Sequence, residues 1–262
     1  MKIVVTVKLV PDPNADKRID PATKRLVRSG VETVLNPYDE YALEAALQLK
    51  DKLGADTTVT VLSMVPESGK ETVRKALAMG ADEAFMLSDA GLEATDVWGT
   101  AHALATAIKK IGFDLVICGS LSDDGATGAV PGAMAEHLGV PGLTNVRHIE
   151  SVEGSIKVQC ETDSGYQVVS GPLPALVSVT MAVGEPRYPS LKGIMGAKKK
   201  PITMMPLAEL GASQTFGAAG AKMELLNVAA PPARGKGQVI KPEDGAQGAK
   251  AIFDFLKERK LV

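Results

Sequence analysis

The chain has 262 residues, 45% of them hydrophobic but only 4% aromatic, and a formal charge of −2 with both signs interspersed. This length buries a sizeable core, and a core of Val, Ile, Leu and Ala suits buried parallel strands covered by helices. The balanced charge supplies no positive field for nucleic acid or anionic lipid, so neither is an expected partner.

Residues 3–7 read as a first strand with no leader pattern before it, and no apolar run reaches membrane-spanning length. The expectation is a cytoplasmic protein without membrane insertion. Asn36 is a suitable N-cap with Pro37 at the first helical position, and Leu43, Ala46, Leu47 and Leu53 form an apolar stripe ended by Gly54. A strand over 58–62 precedes a helix carrying Val73, Ala76 and Leu77 before Gly80. A strand over 83–87 precedes a helix capped by Asp96, in which Trp98, Ala101, Leu104, Ala105, Ile108 and Ile111 recur at helical spacing before Gly112. A fourth strand over 114–118 leads through a Gly-rich run to a helix over 129–138 closed by Gly139. The β-α-β-α order predicts right-handed crossovers, an α/β class with an open, mostly parallel doubly wound sheet, and ligands at the carboxyl ends of its strands.

Beyond residue 145 the rhythm becomes that of a β-ribbon, with strands over 156–161, 166–169 and 175–180 and a turn at Asp163-Ser164-Gly165. These strands are expected to extend or flank the same sheet. A Pro- and Gly-punctuated stretch follows, ending in Lys198-Lys199-Lys200, and then a Gly-, Ala- and Pro-rich segment over 211–237 that cannot bury a core of its own. An amphipathic helix over about 246–260, with Ala249, Ile252, Phe253 and Leu256 on one face, closes the chain. The organisation read is an α/β domain over 1–183, a Pro- and Gly-punctuated loop and helix over 184–210, and an extended arm with a terminal helix over 211–262 of the kind a chain needs to wrap a partner.

The strongest chemical signal is Gly119-Ser120-Leu121-Ser122-Asp123-Asp124-Gly125-Ala126-Thr127-Gly128, which runs from the fourth strand into a helix. Glycines let backbone N–H groups approach a phosphate, and a helix N-terminus adds partial positive charge. The same run serves equally as a simple turn with Asp123 or Asp124 as a cap. No Walker lysine and no dinucleotide fingerprint occurs. Cys118 and Cys160 lack partners at zinc or redox spacing, and His102, His137 and His148 are scattered, so no metal site is expected. No constellation for nucleophilic or acid–base catalysis stands out, and the lysine run reads as a solvated helix end.

The segment Leu-Pro-Ala-Leu-Val-Ser-Val-Thr-Met-Ala-Val-Gly-Glu-Pro-Arg-Tyr-Pro-Ser-Leu-Lys-Gly-Ile-Met-Gly-Ala-Lys-Lys-Lys-Pro over 173–201 closely resembles the β subunit of electron-transferring flavoproteins. The resemblance continues through Val158-Gln159-Cys160-Glu161-Thr162-Asp163-Ser164-Gly165, Ala76-Leu77-Ala78-Met79-Gly80-Ala81-Asp82, Asn36-Pro37-Tyr38-Asp39 and Val7-Lys8-Leu9-Val10-Pro11-Asp12. It implies a fold like that of the adenine nucleotide alpha hydrolases and a non-enzymatic carrier. Such a carrier takes electrons from flavin dehydrogenases, of acyl-CoA type among others, and passes them to a quinone reductase.

The resemblance also implies an α-subunit partner that holds most of a shared FAD, with this chain touching the flavin near Tyr38 and Asp12-Pro13. A buried AMP would sit against Thr6, Asn36, Pro37, Tyr38, Asp39, Ser63 and the 119–128 run, with a second FAD in its place as the alternative found in bifurcating members. Glu161 resembles a glutamate that pairs with an α-subunit arginine, and the resemblance makes 1–183 a nucleotide-binding domain, 211–262 an arm packing on the α subunit, and 184–210 a partner-recognition loop and helix containing Glu185, Arg187, Tyr188, Leu191, Ile194 and Met195. Cys160 stands where the family is commonly basic, and the phosphate loop is shorter than the mitochondrial type. A stand-alone adenine-nucleotide-binding regulator would suit the strand–loop–helix signal too, but it has no use for the arm beyond residue 183.

Overall fold

Strand β1 (Lys2–Thr6) is followed by the short strands β2 (Leu9–Pro11) and β3 (Thr33–Leu35), which pair antiparallel apart from the main sheet. Then come α1 (Pro37–Leu53), β4 (Thr58–Met64), α2 (Lys70–Met79), β5 (Glu83–Leu87), α3 (Val97–Ile111), β6 (Leu115–Gly119) and α4 (Ala129–Leu138). The remainder comprises β7 (Gly142–Val152), β8 (Ser155–Thr162), β9 (Gly165–Pro172), β10 (Ala175–Val179), α5 (Leu191–Ala197), β11 (Ile202–Met205), α6 (Gly217–Gly220) and α7 (Gly245–Glu258). The computed structural model describes residues 1–152, 154–211, 216–229, 232, 235, 237 and 239–262, so the core-less segment expected over 211–237 lies partly outside the described residues. The chain divides into two compact units, Met1–Leu225 and Leu226–Val262.

The main sheet has nine strands in the order β11-β5-β4-β1-β6-β10-β7-β8-β9, parallel from β11 to β7 and antiparallel through β8 and β9. This is the expected doubly wound sheet with an added ribbon. Alternation along β1 divides the core in two. Ile3 and Val5 face a layer made by Ala42, Leu43, Ala46 and Leu49 of α1 with Val73 and Leu77 of α2, whereas Val4 faces Leu104 and Ile108 of α3 with Met134 of α4. Strand order reverses between β1 and β6, so their carboxyl ends define the crevice where such sheets place ligands.

Helix boundaries follow their caps. Asp96 Oδ1 accepts from the Gly99 N–H at 2.8 Å, Ser190 Oγ from Gly193 at 3.0 Å and Asp244 Oδ1 from Gln247 at 2.8 Å. The apolar stripes of α1, α2 and α3 are turned inward except at exposed Leu53 and Trp98, whereas Ala249, Ile252 and Phe253 of the α7 stripe are exposed.

Candidate functional site

Four segments meet at the carboxyl edge of the sheet. Thr6 ends β1, its register partners being Leu62 of β4 and Cys118 of β6, which places Ser63 and Gly119 immediately beyond it. Thr6 and Ser63 are both buried, and Ser63 Oγ has no hydrogen-bond partner. Asn36 begins α1, but its side chain does not cap that helix. It crosses to the 119–128 loop instead, where Nδ2 donates to the Leu121 carbonyl at 2.9 Å and Oδ1 accepts from the Asp123 N–H at 3.0 Å.

Asp39, buried in the first turn of α1, accepts from the Lys8 N–H at 2.7 Å and from the Gly119 N–H. Burial pushes its carboxyl up to about 7, and these donors, with the Asn36 side chain and the Lys8 charge, offset only part of that rise. The closeness explains Gly119: an added Cβ would stand 2.6 Å from Asp39 Oδ1 and 2.9 Å from the Tyr38 carbonyl carbon. Tyr38 and Pro37 are themselves half-buried.

The loop carries two acidic side chains, and neither caps α4, whose N-cap is Gly128 at φ +61 with no side-chain bond. Asp124 is instead enclosed between Lys8 Nζ at 2.7 Å and Arg28 Nη2 at 2.6 Å, its side chain fully shielded from solvent, and Asp123 meets Lys17 Nζ at 2.8 Å. Burial alone would raise the Asp124 carboxyl, yet Lys8 and Arg28 outweigh it and hold the group down at about 2. Lys8 Nζ also donates to Ser122 Oγ at 3.2 Å. The loop is therefore fastened along its first half, while Gly125, Ala126, Thr127 and Gly128 are exposed and Ser120, Leu121 and Ser122 are intermediate.

Sequence reasoning named the loop but missed the three cations that hold it. They lie about a hundred residues earlier in the chain, and no local spacing connects them to it.

The segment over 184–201 presents a different surface. Tyr188 is 95% exposed, Leu191 82% and Met195 73%, with Ile194 about half exposed. Glu185 is exposed, whereas Arg187 turns inward to Glu44 and Asp51 of α1. Glu161 is half-exposed near the end of β8, opposite Tyr166 of β9 and beside half-buried Cys160. Lys198 and Lys199 are solvated as expected. Lys200 is not, because its Nζ donates to the Leu77 and Ala81 carbonyls at the end of α2.

The histidines are less scattered than the sequence suggests, since His102 of α3 and His137 of α4 bring their Nδ1 atoms to 3.4 Å. Even so, no group of three or more His, Cys, Asp or Glu residues suited to a metal ion occurs among the described residues. Nor is any helix among them long and apolar enough to cross a membrane.

Comparison with known proteins bears on this arrangement. The family model for the electron transfer flavoprotein domain matches residues 23–210. Electron transfer flavoprotein β subunits from Mycobacterium tuberculosis and Megasphaera elsdenii are 42% and 39% identical, the alignments covering 99% and 100% of this chain and 99% and 98% of theirs. Similar too, at 37% identity over the whole of both chains, is the CarD subunit of the caffeyl-CoA reductase–Etf complex of Acetobacterium woodii. A match that spans both the sheet with its carboxyl-edge loop and the exposed helix α5 leaves one assignment: the chain belongs to the electron transfer flavoprotein family, as a β subunit.

Proposed function

We propose that this subunit pairs with an α subunit around a shared FAD, takes electrons from flavin dehydrogenases of acyl-CoA type and delivers them to a quinone reductase, while its own carboxyl-edge site holds AMP. The observation that carries the nucleotide reading is Ser63 Oγ, a fully buried hydroxyl without a partner on β4, which neighbours β1 and its terminal Thr6 at the same carboxyl edge from which the fastened loop leaves β6. Such a group left unpaired costs about 1–3 kcal/mol, which a hydrogen bond from a ligand at this point offsets. The donor set fits an adenine nucleotide. Thr6 and Ser63 supply hydroxyls at the strand ends, and the backbone around Gly125 to Gly128 leads into the N-terminus of α4, where an anion is favoured. Asp123 and Asp124 would repel a phosphate if left uncompensated, and Lys17, Lys8 and Arg28 remove that objection.

In this reading Asn36 and Asp39 act through the loop and shape its approach. FAD supplies the one-electron chemistry when bound. This chain contributes cofactor contacts near Tyr38 and Asp12, the nucleotide site and the docking surface, and no acid–base group. A relative named as part of a caffeyl-CoA reductase complex supports CoA-ester oxidoreductases as the class of partner. The second reading places another FAD where AMP is proposed, as a bifurcating complex would require.

The test is the flavin and adenine nucleotide content released by heat from the purified heterodimer. One flavin and one AMP per heterodimer is the expected result. Two flavins without AMP would establish the second reading, and one flavin with no free nucleotide would remove the carboxyl-edge site.

A further inference from the structure

Helix α5, which carries the exposed Leu191, Ile194 and Met195, has only seven residues, among them Gly193 and Gly196. A helix so short and glycine-rich has little stability of its own, so its position must be imposed from outside. The structure provides fastenings on both sides. On the far side Lys200 Nζ donates to the Leu77 carbonyl at 3.0 Å and the Ala81 carbonyl at 2.6 Å, and Arg74 Nη1 donates to the Ala197 carbonyl at 2.9 Å. Between them the helix lies so close to α2 that a Cβ on Gly193 would stand 2.5 Å from the Ala78 carbonyl oxygen.

On the near side the fastening is Arg187. Its backbone N–H and Nε donate to Glu44 Oε2 at 3.0 and 2.7 Å, and its Nη2 donates to Glu44 Oε1 at 3.0 Å and to Asp51 Oδ2 at 2.9 Å. Glu44 and Asp51 are two helical turns apart on one face of α1. Gln48 between them donates to Glu44 Oε1 at 3.1 Å and meets the backbone of the incoming loop, where a Cβ on Gly184 would stand 3.2 Å from Gln48 Nε2. The Glu44 side chain is only 6% exposed. A two-pronged guanidinium–carboxylate pair sheltered in this way fixes orientation as well as distance. All of it lies one residue before Tyr188 and four before Leu191.

We infer that Arg187 is a positioning residue for partner docking, which holds the Tyr188–Leu191 segment against the Glu44–Asp51 face of α1 without itself touching the partner. A protruding anchor on a loose loop must be ordered when the partner binds, and that ordering subtracts from affinity; a loop already fixed avoids the cost. The same helix α1 begins at Asn36 and Asp39, so one rigid element supports both the loop proposed for the nucleotide and the surface proposed for docking. The inference rests on the reading of α5 as the dehydrogenase-docking helix.

The test uses the FAD-loaded heterodimer with Arg187→Ala, Arg187→Lys and Leu191→Ala, an acyl-CoA dehydrogenase reduced by its acyl-CoA as the probe, and hydrogen exchange followed over residues 184–197. With Arg187→Ala, exchange in that segment should quicken about tenfold or more, and KM for the dehydrogenase should rise about tenfold with kcat within about twofold. Arg187→Lys, which keeps the charge but loses the fork, should fall between. A raised KM with unchanged exchange would mean that Arg187 meets the partner directly, and unchanged exchange with unchanged KM would mean that the clamp is idle; either overturns the inference. Faster exchange with KM unchanged in both Arg187→Ala and Leu191→Ala would instead overturn the docking reading of α5 itself.

Discussion

Asp39 illustrates how a single residue can shape a site while working against stability. Its carboxylate is the acceptor that brings the Lys8 and Gly119 N–H groups together, yet its burial favours the protonated form and raises its pKa to about 7. In the unfolded chain the group titrates near 3.9. Between those values the folded protein binds more protons than the unfolded one, so the Asp39 contribution to stability falls as pH rises from about 4 to about 7 and is fully lost above. Asp39→Asn removes the titration but keeps an acceptor oxygen. Its melting temperature relative to the unsubstituted protein should therefore improve by about 5 °C or more between pH 5 and pH 8. A difference that stays flat across that range would show that Asp39 remains ionised throughout. Not all of this was legible in the sequence. Asn36 and Gly119 stand out through helix punctuation and the strand–loop junction, because those signals are local. Lys8, Lys17, Arg28 and Glu44 do not, because an ion pair closed across a hundred residues leaves no periodicity and a charged residue in a helix reads as solvated.

At the level of elements, α5 shows a short helix whose apolar residues point out rather than in. Leu191 is 82% exposed and sits beside exposed Tyr188 and Met195. A leucine this exposed adds little to the stability of its own chain, and burying it against a partner is worth roughly 1.5–3 kcal/mol. Leu191→Ala should then weaken dehydrogenase docking by about tenfold or more, with melting temperature and cofactor content unaltered. Kinetics with the dehydrogenase and with dithionite separate the alternatives, since equal slowing with both would mean that the substitution disturbs the flavin rather than the contact. The sequence reads α1 to α4 well because each closes at a glycine, α1 to α3 carry an apolar stripe, and α3 is capped by Asp96. It misses β7, whose buried residues Leu143, Val146 and Ile149 come at every third position. The cause is a register shift around Asn145, held at φ +54, which breaks the alternation by which a strand is recognised. Strands β2, β3 and β11 are too short for any pattern, and only their neighbours define them.

Over the whole molecule, every buried apolar residue among those described lies in the unit Met1–Leu225, and the last is Phe216. The unit Leu226–Val262 contains α7, on which Ile252, Phe253 and Phe255 are exposed and no residue is buried. A helix with a bare apolar face is stabilised only by something that covers it, and the α subunit is the proposed cover. Ending the chain after residue 239 should leave the melting temperature of the first unit within a few degrees while weakening association with the α subunit by about tenfold or more, as sedimentation would measure. An undiminished heterodimer would show that α7 lies outside the interface. The architecture of the first unit was readable from the alternation of short β-branched runs with helical stripes, since crossover rules leave few arrangements for that order. In the second unit the stripe of α7 was readable from its helical spacing, whereas the Gly-, Ala- and Pro-rich run before it has composition without pattern. The 119–128 loop carries this division of labour into history. Its inner half is anchored to α1 and to the cations of the amino-terminal segment, whereas Gly125, Ala126 and Thr127 are exposed to solvent. Substitution at such exposed positions costs little stability, so a lineage can rewrite this part of the loop, against which the adenine nucleotide is proposed to lie, without passing through a sequence that fails to fold.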